Sequence, residues 1–263
     1  MKTLFPRLVI VVFACCFCVG NLFATTHTKK SHRKKPAVEQ DAKPTPLPKA
    51  QPSPEPLASP QPKQDEASRK ASAAPNATIL PSEIVEYSGE LPRVRKLIES
   101  ALVLTTQGLT YTYGSDDPAK GGMDCSGFIS YVLKRNGFPN VPRDASSQYI
   151  WLRKSGAFRA VLSQNSDTFE LDDLRPGDLL FWTGTYDSAH DPPVTHSMIY
   201  LGTEKGTKNK IMVGASNGRS YHGKSRWGVS LFDFHLNGSS RTPESKSTRS
   251  AFVGYARPPG LRD

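Results

Sequence analysis

A cysteine followed at once by a helical pattern is the feature that most constrains this chain. Residues 122–128 read GMDCSGF, and Cys125 is the only cysteine outside the first 18 residues. Apolar residues recur at spacings of one, three and four over residues 128–136, which predicts a helix. Asp124 is placed to cap this helix and Gly137 to end it. The pattern therefore places Cys125 in the first turn of a helix.

A cysteine in the first turn lies beside unpaired backbone N–H groups and the positive end of the helix dipole. Both favour the thiolate, so we expect the pKa of Cys125 to fall below the free value of about 8.5. The alternative is a small core residue, since free cysteines are often buried. The two glycines at 121 and 122, which permit close backbone approach, favour a nucleophile. Such a nucleophile needs a base.

The first 24 residues have the layout of a secretory signal peptide. Lys2 and Arg7 precede an apolar run at residues 8–20 that is too short for a comfortable membrane span. A loose lipobox at residues 12–15 makes lipidation of Cys15 an alternative. We therefore expect an exported protein of the periplasm or cell envelope, or a secreted one, with no transmembrane span.

Residues 25–80 have the composition of a disordered tether. They are rich in proline, carry a net charge of +5 and contain almost no aromatic or branched apolar side chains. Residues 81–263 carry a net charge of only +3. The basic tether can contact an anionic envelope surface, or it can be a solvated linker. Nucleic-acid binding is not indicated, because basic and aromatic residues are not interleaved.

Residues 81–263 predict one α+β domain in which helices precede strands. Helical patterns cover residues 92–107 and 128–136, and a shorter one lies near Ser147 and Trp151. Strand patterns cover residues 179–182, 194–201, 211–215 and 251–256, with an exposed loop at 237–250. This order predicts an antiparallel sheet with the nucleophile helix packed on it. We expect a monomer.

The base for Cys125 must come from the histidines of this domain, His190, His196, His222 and His235. Only His196 lies inside a predicted strand, which holds a ring in a fixed orientation better than a loop does. It follows Cys125 by 71 residues, the Cys-then-His order of papain-like peptidases. A Cys–His pair is sufficient for acyl transfer. The alternative for His196 is a satisfied core histidine.

Three blocks in this order resemble the signature sequences of the NlpC family of papain-like cell-wall peptidases: residues 122–128, 174–179 and 195–202. Tyr111 falls where that family has a tyrosine beside its nucleophile. The resemblance covers residues 92–257. It implies a papain-like fold and hydrolysis of the γ-D-glutamyl–diamino-acid bond of peptidoglycan stem peptides, without a metal or an organic cofactor. It also implies that Asp124 and Ser126 help hold the free amine of the substrate and that Tyr111 supports this substrate-binding site.

One position departs from this family, which has a third polar residue, usually His, immediately before an Ala-Ser pair. Here Gly214 precedes that pair, so an orienting side chain for His196 is missing. The substitutes are Ser216, Asn217, His222 or an ordered water, and we favour Asn217 because papain-like enzymes accept an amide there. Losing the orienting group slows such enzymes without necessarily abolishing activity. The alternatives are a non-catalytic wall-binding module and a cysteine-histidine amidase that cuts between sugar and peptide.

The polar loop at residues 183–193, directly before the base, is longer than a hairpin needs, and such loops commonly shape access to a site. We therefore expect Trp182, Tyr186 and His190 near the cleft, with Trp182 contacting the substrate. A metal site made of Asp187, His190, Asp191 and His196 is a further alternative. Its ligands follow no recognised spacing, so we expect no metal and no cofactor.

Overall fold

A computed structural model describes residues 63–236 and 250–261 of the chain. All of these residues belong to one structural unit, Glu55–Asp263. The predicted signal peptide at residues 1–24, the tether up to residue 62 and most of the predicted loop at 237–250 lie outside the described residues.

The described residues contain four α-helices: α1 Lys63–Ser72, α2 Pro92–Thr105, α3 Cys125–Arg135 and α4 Ala145–Lys154. The helix predicted at residues 92–107 is confirmed and ends two residues earlier. The predicted helix behind Cys125 is confirmed as α3, whose cap is Asp124: its carboxylate accepts a hydrogen bond from the Gly127 N–H at 2.7 Å. Cys125 is therefore the first residue of the helix.

The strands of the described part are β1 Thr110–Tyr111, β2 Gly122–Met123, β3 Phe158–Ala160, β4 Leu179–Thr183, β5 Val194–Thr203, β6 Lys210–Tyr221, β7 Lys224–Asp233 and β8 Ala251–Ala256. β1 and β2 pair in parallel, and the other six form an antiparallel sheet in the order β3-β8-β4-β5-β6-β7. This confirms the α+β prediction with an antiparallel sheet. β7 was not predicted, because Gly228 and Ser230 interrupt its apolar pattern.

Alternation along the strands gives the sheet two different buried faces. One face packs against α2 and α3 through side chains that include Phe181, Ile199, Leu201, Val213 and Leu231. The other face carries a largely aromatic and Met cluster of Leu180, Trp182, Met198, Tyr200, Met212, Phe232, Phe234, Phe252 and Tyr255. Burial on both sides explains why β4 and β5 read as nearly continuous apolar runs.

β5 and β6 pair over only part of their lengths. Their register runs from Thr203 opposite Lys210 to Ile199 opposite Val213. Beyond this point β5 remains paired with β4 as far as Val194, and β6 remains paired with β7 as far as Tyr221. Within the described strands, residues 194–198 therefore have no ladder partner on β6, which leaves backbone N–H groups of β5 free for other partners.

The folded unit begins ahead of the boundary predicted at residue 81. The Ala74 N–H donates to the Ser225 carbonyl at 2.9 Å, and Ala77 exchanges hydrogen bonds with Ser230 Oγ at 2.8 Å and with the Leu231 N–H at 3.1 Å. The tether prediction is therefore wrong for residues 63–80, which include α1. This segment has too few apolar side chains to fold alone, and it gains order by pairing along β7, the edge strand.

Gly127, in the first turn of α3, leaves no room for a side chain. A Cβ there would lie 2.2 Å from the Ser115 carbonyl oxygen. We expect Gly127→Ala to lower the free energy of unfolding by roughly 1–3 kcal/mol, despite the better helix propensity of Ala. Denaturant titration measures this change. Gly206→Ala is the matched control, since a Cβ there meets nothing within 4 Å; equal destabilisation of the two variants would contradict the close packing.

Candidate active site

Cys125 lies at the point where β5 separates from β6. Its side chain is buried, and its sulfur accepts hydrogen bonds from the backbone N–H groups of Ser197 and Ser126. Ser197 directly follows His196 on β5. The structure therefore brings the predicted nucleophile next to the strand residue that adjoins the predicted base.

Gln148 of α4 holds the start of α3 and the strand β5 together. Its Nε2 donates to the Ser126 carbonyl at 2.9 Å, and its Oε1 accepts from the Ser197 hydroxyl at 3.0 Å. The side chain is completely buried. One amide thus connects α3 with β5 across the gap in which Cys125 lies, and it was not recognised in the sequence because it belongs to no motif there.

Burial raises the pKa of Cys125 to about 12, and the negative charge of Asp124 raises it as well. The N–H groups of Ser197 and Ser126 and the guanidinium of Arg143 lower it by less. The prediction of a lowered pKa is therefore wrong. The helix N-terminus does favour the thiolate, but it does not offset the loss of hydration around a buried sulfur.

His196 is a buried, neutral imidazole. Burial, followed by the positive charge of Arg219, lowers its pKa well below 6.5. The ring lies 5.7 Å from the ring of Trp182, its partner across the ladder. Its Nε2 atom is buried and has no hydrogen-bond partner in the described part of the chain. The imidazole can therefore accept a proton, but packing alone orients it.

Gly214 stands where the resemblance implies a third polar residue, and it offers no polar side chain. A Cβ on Gly214 would lie 3.1 Å from Cγ of Met198, which shares a strand face with His196. Met198 thus occupies the space that an orienting side chain would need. This packing explains how a glycine is accommodated at that position.

None of the side chains considered as substitutes hydrogen-bonds to His196 within residues 63–236 and 250–261. Asn217 is half-buried and lies opposite Trp227 on β7. Ser216 Oγ accepts from the Arg219 backbone N–H at 3.4 Å, and His222 Nε2 lies 2.8 Å from Glu204 Oε2. The structure therefore does not provide the predicted contact between Asn217 and the base.

The Asp124 carboxylate has partners on both oxygens. Oδ1 accepts from the Gly127 N–H, the Ser126 hydroxyl at 3.2 Å and Arg143 Nη1 at 3.0 Å. Oδ2 accepts from Arg143 Nη2 and the Gly114 N–H, both at 2.8 Å. Asp124 and Ser126 are thus engaged in holding the start of α3, and their role in binding a substrate amine stays a prediction. Sequence reasoning missed Arg143, which carries no local signal.

Three tyrosines lie within electrostatic range of Cys125. Burial raises the pKa of Tyr111, Tyr113 and Tyr186, and the nearby Cys125 charge contributes in each case. The rings of Tyr113 and Tyr186 meet edge to face at 6.5 Å. Tyr186 belongs to the loop before β5, so its predicted position near the cleft agrees with the geometry. The predicted position of Tyr111 near Cys125 also agrees with the geometry.

Trp182 differs from the expectation that it contacts substrate. It is fully buried, and the Arg219 guanidinium carbon lies 4.1 Å from the centre of its ring. Trp182 therefore packs against His196 and Arg219, and its own side chain is not exposed to a ligand. His190, also expected near the cleft, is exposed on the loop.

Arg219 itself was not anticipated. Its side chain is only 8% exposed. Burial lowers its pKa to about 10, and the Cys125 charge acts in the opposite direction. In the sequence it lies within a run of polar and glycine residues that resembles an ordinary turn, so no signal marked it.

The described residues hold neither a metal-binding cluster nor a membrane-spanning helix. No group of three or more His, Cys, Asp or Glu side chains in the described residues is arranged to hold a metal ion. Among the same residues, no helix combines the length and the apolar character that crossing a membrane requires.

Curated relatives are similar to parts of this chain. The gamma-DL-glutamyl hydrolase of Bacillus subtilis (strain 168) is 30% identical over 95 residues, which cover 36% of this chain and 18% of the relative. The probable endopeptidase p60 of Listeria welshimeri is 34% identical over 131 residues, 48% of this chain and 19% of the relative. The chain thus spans about a fifth of the length of each of them.

Solved structures overlap less closely. One, described as similar to a lipoprotein of the NLP/P60 family from Staphylococcus aureus subsp. aureus Mu50, is 25% identical, with a TM-score of 0.40 and coverage of 64% of this chain and 43% of the other. The NlpC/p60 domain of peptidoglycan hydrolase SagA is 24% identical, with a TM-score of 0.31 and coverage of 53% and 88%. Both TM-scores lie below 0.5, so the family assignment depends on sequence.

The NlpC/P60 family model matches residues 108–229. This range contains Cys125 and His196, the Tyr111 beside them and the Asp124 network that holds α3. The resemblance inferred from three short blocks is therefore confirmed over a continuous stretch. Residues 108–229 of this chain are thus similar in sequence to the NlpC/P60 family.

Proposed function

We propose that this protein is a cysteine peptidase that hydrolyses peptidoglycan stem peptides. The observation that carries the proposal is the buried Cys125 at the start of α3, hydrogen-bonded to the residue that follows a neutral, buried His196. The names of the two curated relatives, a gamma-DL-glutamyl hydrolase and a probable endopeptidase, support this reaction class.

In the proposed mechanism, His196 acts first as a base and then as an acid. The neutral imidazole takes the proton of the Cys125 thiol as the sulfur attacks the scissile carbonyl carbon. The imidazolium then protonates the leaving amine, and water hydrolyses the thioester. The N–H groups of Ser197 and Ser126 stabilise the sulfur when it becomes negatively charged, which partly offsets its burial.

His196 lacks an orienting hydrogen-bond partner among the described residues, which affects the expected rate of hydrolysis. When His196 is protonated, its Nε2–H becomes a donor without an acceptor among the described side chains. A buried donor without an acceptor destabilises the imidazolium. We therefore propose a slower enzyme than relatives that carry a polar third residue.

The proposed scissile bond is the γ-D-glutamyl–diamino-acid bond, and the proposed location is the cell envelope after export. Removal of residues 1–24 as a signal peptide, contact of the basic tether with an anionic surface and a monomeric state belong to the same proposal. The reaction as written needs no metal or organic cofactor. Binding of wall peptides without cleavage and cutting between sugar and peptide are the alternatives.

The reaction and its bond are tested by mass spectrometry of defined stem peptides incubated with the full chain. We expect cleavage at the γ-D-glutamyl bond, with a loss on the order of 10⁴-fold in Cys125→Ala and in His196→Ala. Products cut between sugar and peptide would indicate the amidase. Retained binding without cleavage by the unaltered protein would replace the proposal with a binding module.

The neutral state of the pair is tested by alkylating Cys125 with iodoacetamide across pH. Because burial raises the pKa of Cys125 to about 12, alkylation at pH 7 should be much slower than for a free thiol. The same chain unfolded in urea is the control and should titrate near the ordinary pKa of about 8.5. A folded-state midpoint below pH 8.5 would show a thiolate instead.

The pH dependence of turnover reports the base. His196 must be neutral to accept the thiol proton, and its pKa is lowered well below 6.5. Activity should therefore persist below pH 6.5 and fall only as the imidazole becomes protonated at more acid pH. An acid limb of kcat/KM centred at or above pH 6.5 would contradict the buried, neutral imidazole.

The role of Asn217 is tested by Asn217→Ala, with Ser216→Ala beside it. Neither side chain hydrogen-bonds to His196 in the structure, so we expect either change to lower kcat by less than about tenfold. A loss on the order of 10²-fold or more in Asn217→Ala alone, with unchanged melting, would assign the orienting role to Asn217 after all.

A further inference from the structure

The proposed mechanism gives no role to Arg219, a buried cation near the proposed base. The guanidinium of Arg219 lies over the Trp182 ring, and its side chain is only 8% exposed. Its backbone N–H donates to Ser216, but its guanidinium has no ion pair or hydrogen bond with any residue in the described part of the chain. Arg219 is thus a charged group that packing holds in place without an anion.

Other guanidinium groups in the same fold are paired. Arg257 lies 2.9 Å from Asp178 and 3.7 Å from Glu90, and Arg143 lies 2.8 Å from Asp124. In each of these pairs the opposite charges offset part of the cost of removing the guanidinium from water. Arg219 is more deeply buried than Arg143, yet it lacks such a pair among the described residues. Arg219 therefore differs from Arg257 and Arg143, each of which has a carboxylate partner.

Arg219 also lies within electrostatic range of both reacting groups. Its charge lowers the pKa of His196, and the charge of Cys125 raises the pKa of Arg219. The Trp182 ring, over which the Arg219 guanidinium lies, is 5.7 Å from the ring of His196, so only this one side chain lies between the guanidinium and the proposed base. We therefore expect groups next to the scissile amide of a bound peptide to come close to Arg219. A planar guanidinium recognises a carboxylate through two parallel hydrogen bonds, and its stacking on an aromatic ring fixes its plane in advance.

We propose that Arg219 binds a free carboxylate of the substrate next to the scissile amide, an inference that rests on the proposed function. In a γ-glutamyl peptide the side-chain carboxyl forms the amide, which leaves the α-carboxylate of the same residue free beside the scissile bond. Where the diamino acid on the leaving side is a dicarboxylic one, it carries a second carboxylate. Amidation of either group removes its charge. Arg219 therefore makes the enzyme selective for peptides that are not amidated at the group it binds.

Binding is measured by calorimetry with the full chain carrying Cys125→Ala, so that no ligand is consumed. The ligands are matched stem peptides with a free or an amidated α-carboxyl on the glutamyl residue, and with a free or an amidated carboxyl on the diamino acid. We expect one free form to bind roughly tenfold or more tightly than its amide. Adding Arg219→Met should bring this ratio close to one, while Arg219→Lys should keep part of it.

The carboxylate that Arg219 binds is identified by the pair of peptides, free and amidated, whose difference in affinity disappears in Arg219→Met. An unchanged preference in Arg219→Met would overturn the inference, as would an equal loss of affinity for free and amidated forms, because Arg219 would then serve only to pack on Trp182. Thermal melting of each variant separates these results from misfolding. Failure of the Cys125→Ala protein to bind any of the peptides would also overturn it.

This experiment separates the inference from the proposed function. If the unaltered protein does not cleave stem peptides but Arg219 still controls the carboxylate preference, the peptidase proposal fails and the binding site remains. If cleavage occurs and the preference does not depend on Arg219, the peptidase proposal remains and this inference fails.

Discussion

The structure of the site depends on the Asp124 carboxylate. It caps α3 through the Gly127 N–H, holds Arg143 through two hydrogen bonds and binds the Gly114 N–H. These contacts fix the first turn of the helix, and Cys125 is the first residue of that turn. The cost of burying this carboxylate is offset because both of its oxygens have partners. Cys125, the proposed nucleophile, therefore has a fixed position in the fold.

Burial determines the charge states of Cys125 and His196, the proposed reacting pair. It raises the pKa of Cys125 and lowers the pKa of His196, so both groups are neutral near pH 7. In the proposed reaction charge must then be created, and the surroundings must stabilise it. Backbone N–H groups of Ser197 and Ser126 face the sulfur, whereas the described part of the chain offers Nε2 of His196 no acceptor. The site is thus better prepared for the thiolate than for the imidazolium.

The sequence predicted features that depend on local pattern and missed those that depend on tertiary contacts. Helical spacing located α3, strand alternation located His196, and the ordered blocks indicated the family before the fold was known. The pKa of Cys125 was wrong because the helix N-terminus is a local effect, whereas desolvation depends on the sheet and α4 packed around it. The packing of Arg219 on Trp182 and the pairing of residues 74–77 with β7 were missed for the same reason: the two sides of each contact lie far apart along the chain.

The central claim is that Cys125 forms a covalent bond to the acyl part of a stem peptide. Intact-mass spectrometry of the full chain, mixed with a stem peptide and quenched in acid within one turnover, tests it most directly. The account predicts an added mass equal to the acyl part of the substrate, located on Cys125 by peptide mapping. Release of the same products by the Cys125→Ala protein at an unchanged rate, with no adduct on either protein, would contradict it.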